Sequence, residues 1–328
     1  SFSRSVAALI HGYDDHLQQL NGQGISAVIL NRVGSDTHES ILREAIDPLG
    51  VPVIGALRRD PTFSFQERHL GLVPVAERRG TVSRSIAAIA EVIERCVDLA
   101  ALEGIARRAP SMPARLLPPA TRTHETPVPV GVLSGPAFGF CYPENLERLQ
   151  EAGAELVFVD PSTSRGVPDG VKGLYACGGF PEVFVEALAD NTELLDDVRR
   201  KLGSGMVCWA ECGGLLWLAR SLGGRRLCGA VAADATMGER VIVGYRTAVV
   251  RSDNPIAAVG TELRGHEHHY SVLDPPGEAF ALEGRSGTSL GGWATPTMLA
   301  SYLHLHLGAD PGPAERFVET ASRSPSSA

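Results

Sequence analysis

Cys208-Trp209-Ala210-Glu211-Cys212-Gly213-Gly214 sets a thiol among small residues, between one apolar run and the start of another. That pattern describes a strand-to-helix elbow, a sharp turn that presents a nucleophile at the carboxyl edge of a sheet and at the first turn of a helix. Glycine is wanted beside such a thiol because a Cβ would collide with neighbouring backbone, and a helix N-terminus favours negative charge. A buried structural cysteine is the other reading of the same motif, which by itself leaves both open. Cys208, in the middle of the apolar run Met206 to Ala210, reads as core.

A thiol that attacks a carbonyl also needs a base and donors for the oxyanion. Gly178-Gly179, after the apolar run Leu174 to Ala176, offers the backbone N–H of Gly179, and Gly213 offers a second; ordinary turns use the same glycine pair. Histidines gather in two places. His266, His268 and His269 lie in Gly265-His266-Glu267-His268-His269-Tyr270-Ser271, while His304 and His306 lie in Ala300-Ser301-Tyr302-Leu303-His304-Leu305-His306. The alternation in the second reads as a strand with both imidazoles on one face. Zinc, held by three or four ligands, is a rival use of a His-x-His pair. No carboxylate or thiol stands at a customary ligand spacing near it, so no metal site is expected.

The elements that must position these groups form an α/β rhythm. Val128 to Leu133 reads as a strand, Pro143 to Gly153 as a helix with its stop glycine, and Leu156 to Val159 and Gly173 to Ala176 as strands. Val183 to Ala189 and Thr192 to Leu202 read as helices, Met206 to Ala210 as the strand under the elbow, and Leu215 to Leu222 as the helix after it. Upstream, Ser5 to Gln19 reads as a helix, Ile25 to Leu30 as a strand ending in Asn31-Arg32, Glu39 to Ile46 as a helix and Val51 to Gly55 as a buried strand. Continuous apolar strands alternating with helices imply parallel sheets covered on both faces. Two strands are too few for a free-standing doubly wound domain, and the chain opens on a helix, so the first half reads as a truncated domain. Ser83 to Arg107 reads as one long amphipathic helix through Ile86, Ile89, Val92, Ile93, Val97 and Leu99. The Pro- and Thr-rich stretch from Ala109-Pro110 to Thr126-Pro127 reads as a linker. The organisation expected is thus a partial first domain over 1–107, a linker over 108–126, a second α/β domain over 127–312 and a tail over 313–328, low in complexity from Ser322.

Composition narrows the partners. The 328 residues leave room for two cores, with 44% hydrophobic and 21% charged residues as in globular proteins. A net charge of −8 argues against a nucleic-acid partner, which needs a clustered basic surface. No apolar run approaches the roughly 18 residues of a membrane span. Six cysteines without a CxxC pair or a secretory signal read as reduced thiols of a cytoplasmic protein.

Taken in order, the segments resemble a known family. Cys177-Gly178-Gly179-Phe180-Pro181-Glu182, Ala210-Glu211-Cys212-Gly213-Gly214-Leu215, Gly244-Tyr245-Arg246, Arg264-Gly265-His266-Glu267-His268-His269-Tyr270-Ser271 and Ala300-Ser301-Tyr302-Leu303-His304 are similar to motifs of the cobyrinic acid (hydrogenobyrinic acid) a,c-diamide synthases. Ser3-Arg4-Ser5-Val6-Ala7, Ile29-Leu30-Asn31-Arg32-Val33, Gly55-Ala56-Leu57-Arg58-Arg59-Asp60 and Arg68-His69-Leu70-Gly71-Leu72-Val73-Pro74 look like that family's synthetase domain. The likeness covers nearly the whole chain apart from linker and tail. It implies a partial P-loop, dethiobiotin-synthetase-like parallel-sheet domain followed by a class I glutamine amidotransferase-like α/β domain. It also implies a ligase of cobalamin biosynthesis. Ammonia released from L-glutamine through a cysteinyl thioester would amidate the a and c acetates of a corrinoid, cobyrinate or hydrogenobyrinate, with ATP and Mg²⁺ activating those carboxylates as acyl phosphates. On this mapping Cys212 is the nucleophile, His304 is the base, and Asn31 helps to hold the adenine.

Two departures bear on that mapping. Amidotransferases of the common triad type carry a glutamate two residues after the histidine, where this chain has His306, so a Cys212–His304 dyad is expected with the group that orients His304 unassigned. No Gly-x-x-x-x-Gly-Lys-Ser/Thr phosphate loop occurs in the sequence. In the family that loop lies upstream of where Ser1 aligns, so about the first quarter of the enzyme is expected to be missing, and the ATP-dependent step with it. The rival readings are an amidase of another tetrapyrrole, such as nickel-sirohydrochlorin a,c-diamide synthase, cobyric acid synthase (against which Arg68 to Pro74 argues), and a non-catalytic glutaminase-like module that only binds a ligand. A homodimer stays open, as does the choice between a cobalt-bearing and a metal-free macrocycle.

Overall fold

The computed structural model describes residues 2–60, 79–111, 120–122, 125–308 and 310–324. The chain divides into two compact units, Ser1–Arg115 and Leu116–Ala328. The motif Arg68 to Pro74, and residues 112–119 and 123–124 of the expected linker, lie outside the described residues.

In the first unit α1 (Val6–Asn21), β1 (Val28–Val33), α2 (Asp36–Ile46), β2 (Val53–Arg58), α3 (Arg79–Cys96) and α4 (Leu99–Arg108) follow in order. β1 and β2 pair in parallel, and Val6, Ile10, Leu30, Val33, Leu42 and Ile46 bury a small core between the strands and helices. The single long helix expected from Ser83 to Arg107 is instead two helices. The break falls at Val97-Asp98, where Val97 bridges to Gly55 and the Asp98 amide donates to the Ile54 carbonyl at 2.8 Å. The Asp98 carboxylate then caps α4 by accepting from the Ala101 amide at 2.9 Å. Pairing with β2 and an aspartate N-cap outweigh an apolar period that runs straight through the break.

The second unit begins with β3 (Val128–Leu133), α5 (Pro143–Glu151), β4 (Ala154–Val159), β5 (Gly173–Ala176), α6 (Val185–Asp190), α7 (Thr192–Gly203), β6 (Val207–Glu211) and α8 (Gly213–Leu218). It continues with β7 (Ala219–Leu222), β8 (Arg225–Arg226), β9 (Val231–Val250), β10 (Glu262–Asp274), β11 (Phe280–Gly284) and β12 (Gly287–Gly291). β13 (Trp293–Thr295), β14 (Met298–Ser301), β15 (His304–Leu305) and α9 (Gly312–Ser322) complete it. Among the described residues one sheet has the order β13-β14-β6-β5-β3-β4, parallel throughout except for β13 at its edge. β5 and β6 are buried at every position, which is why they appear in the sequence as unbroken apolar runs. A second sheet runs β12-β11-β9-β10-β15, with β7 and β8 alongside β9.

Two further expectations are corrected here. The helix after the elbow ends at Leu218 and not at Leu222, because Ala219 turns extended and pairs with Val231 of β9; long-range strand pairing overrides local helix preference. The stretch 313–328, read as a tail, begins as α9, whose Ala314, Phe317, Val318 and Ala321 are buried in the core.

α5 serves the site directly. Asn145 is fully buried; its Nδ2 donates to the Leu305 carbonyl at 2.8 Å and its Oδ1 accepts from the Leu307 amide at 2.8 Å, so one side chain fastens the segment that begins at His304. Truncation would strand both backbone groups away from water. Asn145→Ala is expected to cost roughly 2–4 kcal/mol of stability in urea denaturation of the full chain, whereas a loss below about 0.5 kcal/mol would show that water or relaxation replaces the clamp.

Candidate active site

β6 ends at Glu211 and α8 begins at Gly213, which leaves Cys212 in the turn between them at φ +46°, ψ −99°. A non-glycine residue in such a conformation stores on the order of 1–3 kcal/mol. The surroundings hold it there: the Cys212 amide donates to the Ser301 carbonyl at 2.8 Å, and β6 lies in parallel register with β14, Glu211 opposite Ser301. The elbow expected from sequence is therefore present, but α8 is a helix of 6 residues. Its dipole is correspondingly weak, and the group that chiefly bears on the thiol is a side chain.

That side chain is His304, just beyond the end of β14. It pairs with His266 across β15 and β10, is 3% exposed and interacts with the Cys212 thiol closely enough to have its pKa raised by it. Its Nδ1 lies 3.7 Å from Oε2 of Glu211. Phe140 meets the imidazole edge-on at 5.1 Å and His266 stacks on it at 5.1 Å. Burial alone would lower the His304 pKa, but the Cys212 thiol and the Glu211 carboxylate outweigh it and push it up to about 10. His266 moves the other way, lowered by burial and then by the charges of His304 and His268.

The glycines pack as the elbow requires. A Cβ on Gly178 would fall 2.7 Å from Cε1 of His304, and one on Gly213 would fall 2.7 Å from the Gly179 amide nitrogen. The loops carrying Gly179 and Gly213 thus meet backbone to backbone beside Cys212. Cys208 is wholly buried and its thiol is pushed far up by burial, while burial raises Cys228 to about 11; neither is a nucleophile at neutral pH.

A cavity of about 410 Å³ opens beside His304, bordered by Arg246, Arg264, His266, Glu283 and His306 among others. The single strand expected from Ala300 to His306 is broken instead: β14 ends at Ser301, and β15 is His304–Leu305 in the other sheet. His304 and His306 border the same space but do different things. His306 is half exposed, stands edge-on to Tyr142 at 4.9 Å and lies 3.8 Å from Glu144. Behind the cavity, Glu267 binds Nε of Arg246 at 2.7 Å in a buried ion pair. Among the described residues no group of three or more His, Cys, Asp or Glu is arranged to hold a metal ion, and no described helix is long and apolar enough to cross a membrane.

Asn31 lies in the other unit, exposed on β1, where its Oδ1 accepts from the Arg32 amide at 2.8 Å and Arg32 adopts φ +59°. No Gly-x-x-x-x-Gly-Lys-Ser/Thr motif, whose backbone would cradle nucleotide phosphates, occurs in the sequence. The residue that sequence reasoning passed over is Glu211. Its signal was an acidic side chain at the end of a buried apolar strand, beside the nucleophile.

His269 supplies a pH test of the site. Its ring stacks on Tyr302 at 3.6 Å and its Nδ1 donates to the Ser271 carbonyl at 2.8 Å. Burial lowers its pKa to about 4 against the weaker opposing effect of that hydrogen bond, with the charges of His304, Arg246 and His268 adding to the decrease. The unfolded chain protonates near 6.5 while the folded one resists, so stability is lost as pH falls from 6.5 towards 4. The loss is about 2 kcal/mol at pH 5 relative to neutral pH. The difference in unfolding free energy between pH 7 and pH 5 should be smaller by about that amount in His269→Asn; parallel pH profiles for the two proteins would refute the assignment.

Residues 129–312 match the family model of the CobB/CobQ-like glutamine amidotransferase domain. The chain is similar to the hydrogenobyrinate a,c-diamide synthase of Streptomyces coelicolor, 41% identical over 97% of this chain and 72% of that protein. It is likewise similar to the cobyrinate a,c-diamide synthase of Synechococcus sp., 36% identical over 98% of this chain and 72% of that protein. The hydrogenobyrinate a,c-diamide synthase of Thermobifida fusca is 38% identical over 98% of this chain and 70% of its own length.

Proposed function

Because this chain belongs to the hydrogenobyrinate and cobyrinate a,c-diamide synthase family and carries that family's glutamine amidotransferase domain, we propose that its second unit hydrolyses L-glutamine with Cys212 as nucleophile and His304 as base. The ammonia so released amidates the a and c acetate carboxylates of cobyrinate or hydrogenobyrinate in cobalamin biosynthesis. The observation that carries the reading is a thiol held in a strained strand-to-helix turn beside a buried imidazole whose pKa it helps to raise.

The steps follow from that geometry. With His304 raised to about 10, the Cys212 proton rests on the imidazole at neutral pH, and the thiolate attacks the side-chain amide carbon of glutamine. The oxyanion that forms lies between the backbone N–H groups of Gly179 and Gly213. As the carbon–nitrogen bond breaks, His304 returns the proton to the leaving ammonia and a thioester remains. His304 then takes a proton from water, the hydroxide adds to the thioester, and glutamate leaves with the thiol restored. The cavity beside His304 is within the size range of small-molecule sites and is lined in part by Arg246 and Arg264, suited to a substrate carboxylate.

The first unit is read as part of the synthetase domain, with Asn31 on its adenine-binding side. ATP and Mg²⁺ would activate the acceptor carboxylate as an acyl phosphate in a complete site. The sequence carries no Gly-x-x-x-x-Gly-Lys-Ser/Thr motif to cradle the phosphates, and no step here runs through ATP or Mg²⁺.

Ammonia release from glutamine tests the assignment. Cys212→Ala should lower kcat by at least about 10³-fold, while Cys208→Ala, in the core, should keep turnover within roughly 3-fold of the parent once folding is verified. Equal ammonia release by Cys212→Ala and the parent would leave a binding module in place of a glutaminase.

A further inference from the structure

We propose that Glu211 is the carboxylate that orients His304, so that the site is a Cys212–His304–Glu211 triad whose acid is the residue before the nucleophile. The position two residues after the histidine, where the common triad places its glutamate, is occupied here by His306. The proposal rests on the Cys212–His304 reading above.

Glu211 is 1% exposed. Oε1 accepts from the Leu305 amide at 3.2 Å and Oε2 accepts from the Tyr175 hydroxyl at 3.2 Å. Tyr175 is itself fixed by Nδ2 of Asn145 at 3.3 Å. The carboxylate is thereby aimed at the ring by neutral donors on both of its oxygens, one of them the amide adjoining His304. Among the described residues the basic group at ion-pair distance from it is His304, through Nδ1 at 3.7 Å. That separation exceeds a hydrogen bond, but contacts in unliganded catalytic sites are often long and tighten when substrate binds.

Burying an ionised carboxylate costs several kcal/mol unless something nearby uses the charge. The Leu305 amide does not need it, since the carbonyl oxygen of a glutamine would accept the same bond. An imidazole that must become an imidazolium does. With Nδ1 facing Glu211, Nε2 is the nitrogen left for the thiol, which fixes the tautomer that a general base requires.

The other candidates are occupied or of the wrong sign. His306 is basic and turned towards Glu144. Glu267 is paired with Arg246 at 2.7 Å. His266, stacked on His304, brings no negative charge.

The test separates charge from structure. Glu211→Gln keeps the shape and the acceptor for Leu305. It should lower kcat for glutamine hydrolysis by about 10²–10⁴-fold with KM within about 3-fold. The basic limb of the kcat profile should move down by at least about one pH unit, because the imidazolium loses its counter-charge. Glu211→Asp should recover part of kcat. A kcat within about 3-fold of the parent and an unmoved pH profile would overturn the proposal.

Should Glu211→Gln fail to fold, the unsubstituted protein still decides. In ¹⁵N-histidine spectra His304, identified by the resonance lost in His304→Ala, should carry a proton on Nδ1 at every pH from 6 to 8. A neutral ring protonated on Nε2 would overturn the proposal. Failure of the glutaminase reading itself would appear instead as ammonia release by Cys212→Ala, which neither the spectra nor the Glu211 variants can mimic.

Discussion

The hydrogen bond from the Cys212 amide to the Ser301 carbonyl joins the strand that ends in the nucleophile to the strand that leads to the base. It continues the parallel register of β6 and β14, in which Glu211 lies opposite Ser301. Once that register is set, the chain leaving β14 has only Tyr302 and Leu303 in which to turn before His304. The histidine is then gripped from the second sheet, where it pairs with His266; Gly265 allows the close approach, since a Cβ there would lie 2.3 Å from the His304 carbonyl oxygen. Asn145 fastens the next residues from the α5 side. His304 thus sits at the seam between the two sheets, located by backbone pairing on one side and a buried amide on the other.

Charge within this seam is set by neighbours more than by burial. His304 and His269 are both buried, at 3% and 6% exposure, yet one is pushed up to about 10 and the other down to about 4. His304 faces a carboxylate whose other partners are neutral donors, so its cation finds an unspent negative charge. His269 has Glu267 at 3.9 Å, but that carboxylate is already bound to Arg246, and Nδ1 of His269 is committed to a carbonyl. The same low-dielectric setting therefore favours the charged form of one ring and the neutral form of the other. His266, stacked between its neighbours' fields, is lowered as well, so the positive charge is concentrated on the ring beside the thiol.

What the sequence made legible was what local pattern controls. β3 and β5 were placed to the residue because central parallel strands are continuous apolar runs, and the elbow was found because a thiol stands among small residues where an apolar strand run gives way to a helix. The strands from β7 to β12 went unassigned. They form the second sheet largely through antiparallel pairs of consecutive strands, and 20-residue β9 is exposed along much of its middle, so no period-2 apolar signal marks it. The broken helix at Val97-Asp98 and the short α8 share one cause, a backbone pairing with a strand that helical periodicity cannot register. At the site, Cys212, His304, Gly179 and Gly213 were all named from sequence and the structure brings them together. Glu211 carries no role in the elbow motif read from sequence, because the common triad places its orienting acid two residues beyond the histidine.

Glu211 was also hidden by geometry. Consecutive residues of a strand point to opposite faces of the sheet, so a carboxylate and a thiol adjacent in β6 would ordinarily be unable to act on one ring. The turn at Cys212 removes that restriction. At φ +46° the backbone leaves the strand path immediately after Glu211, so the carboxylate lies 3.7 Å from Nδ1 of His304 while the thiol is close enough to the same ring to raise its pKa. The strain stored in the elbow therefore has a second use besides exposing the sulfur. It lets two neighbours in sequence act on a single imidazole, and with the acid supplied from that side, the residue two beyond the histidine is free to be His306.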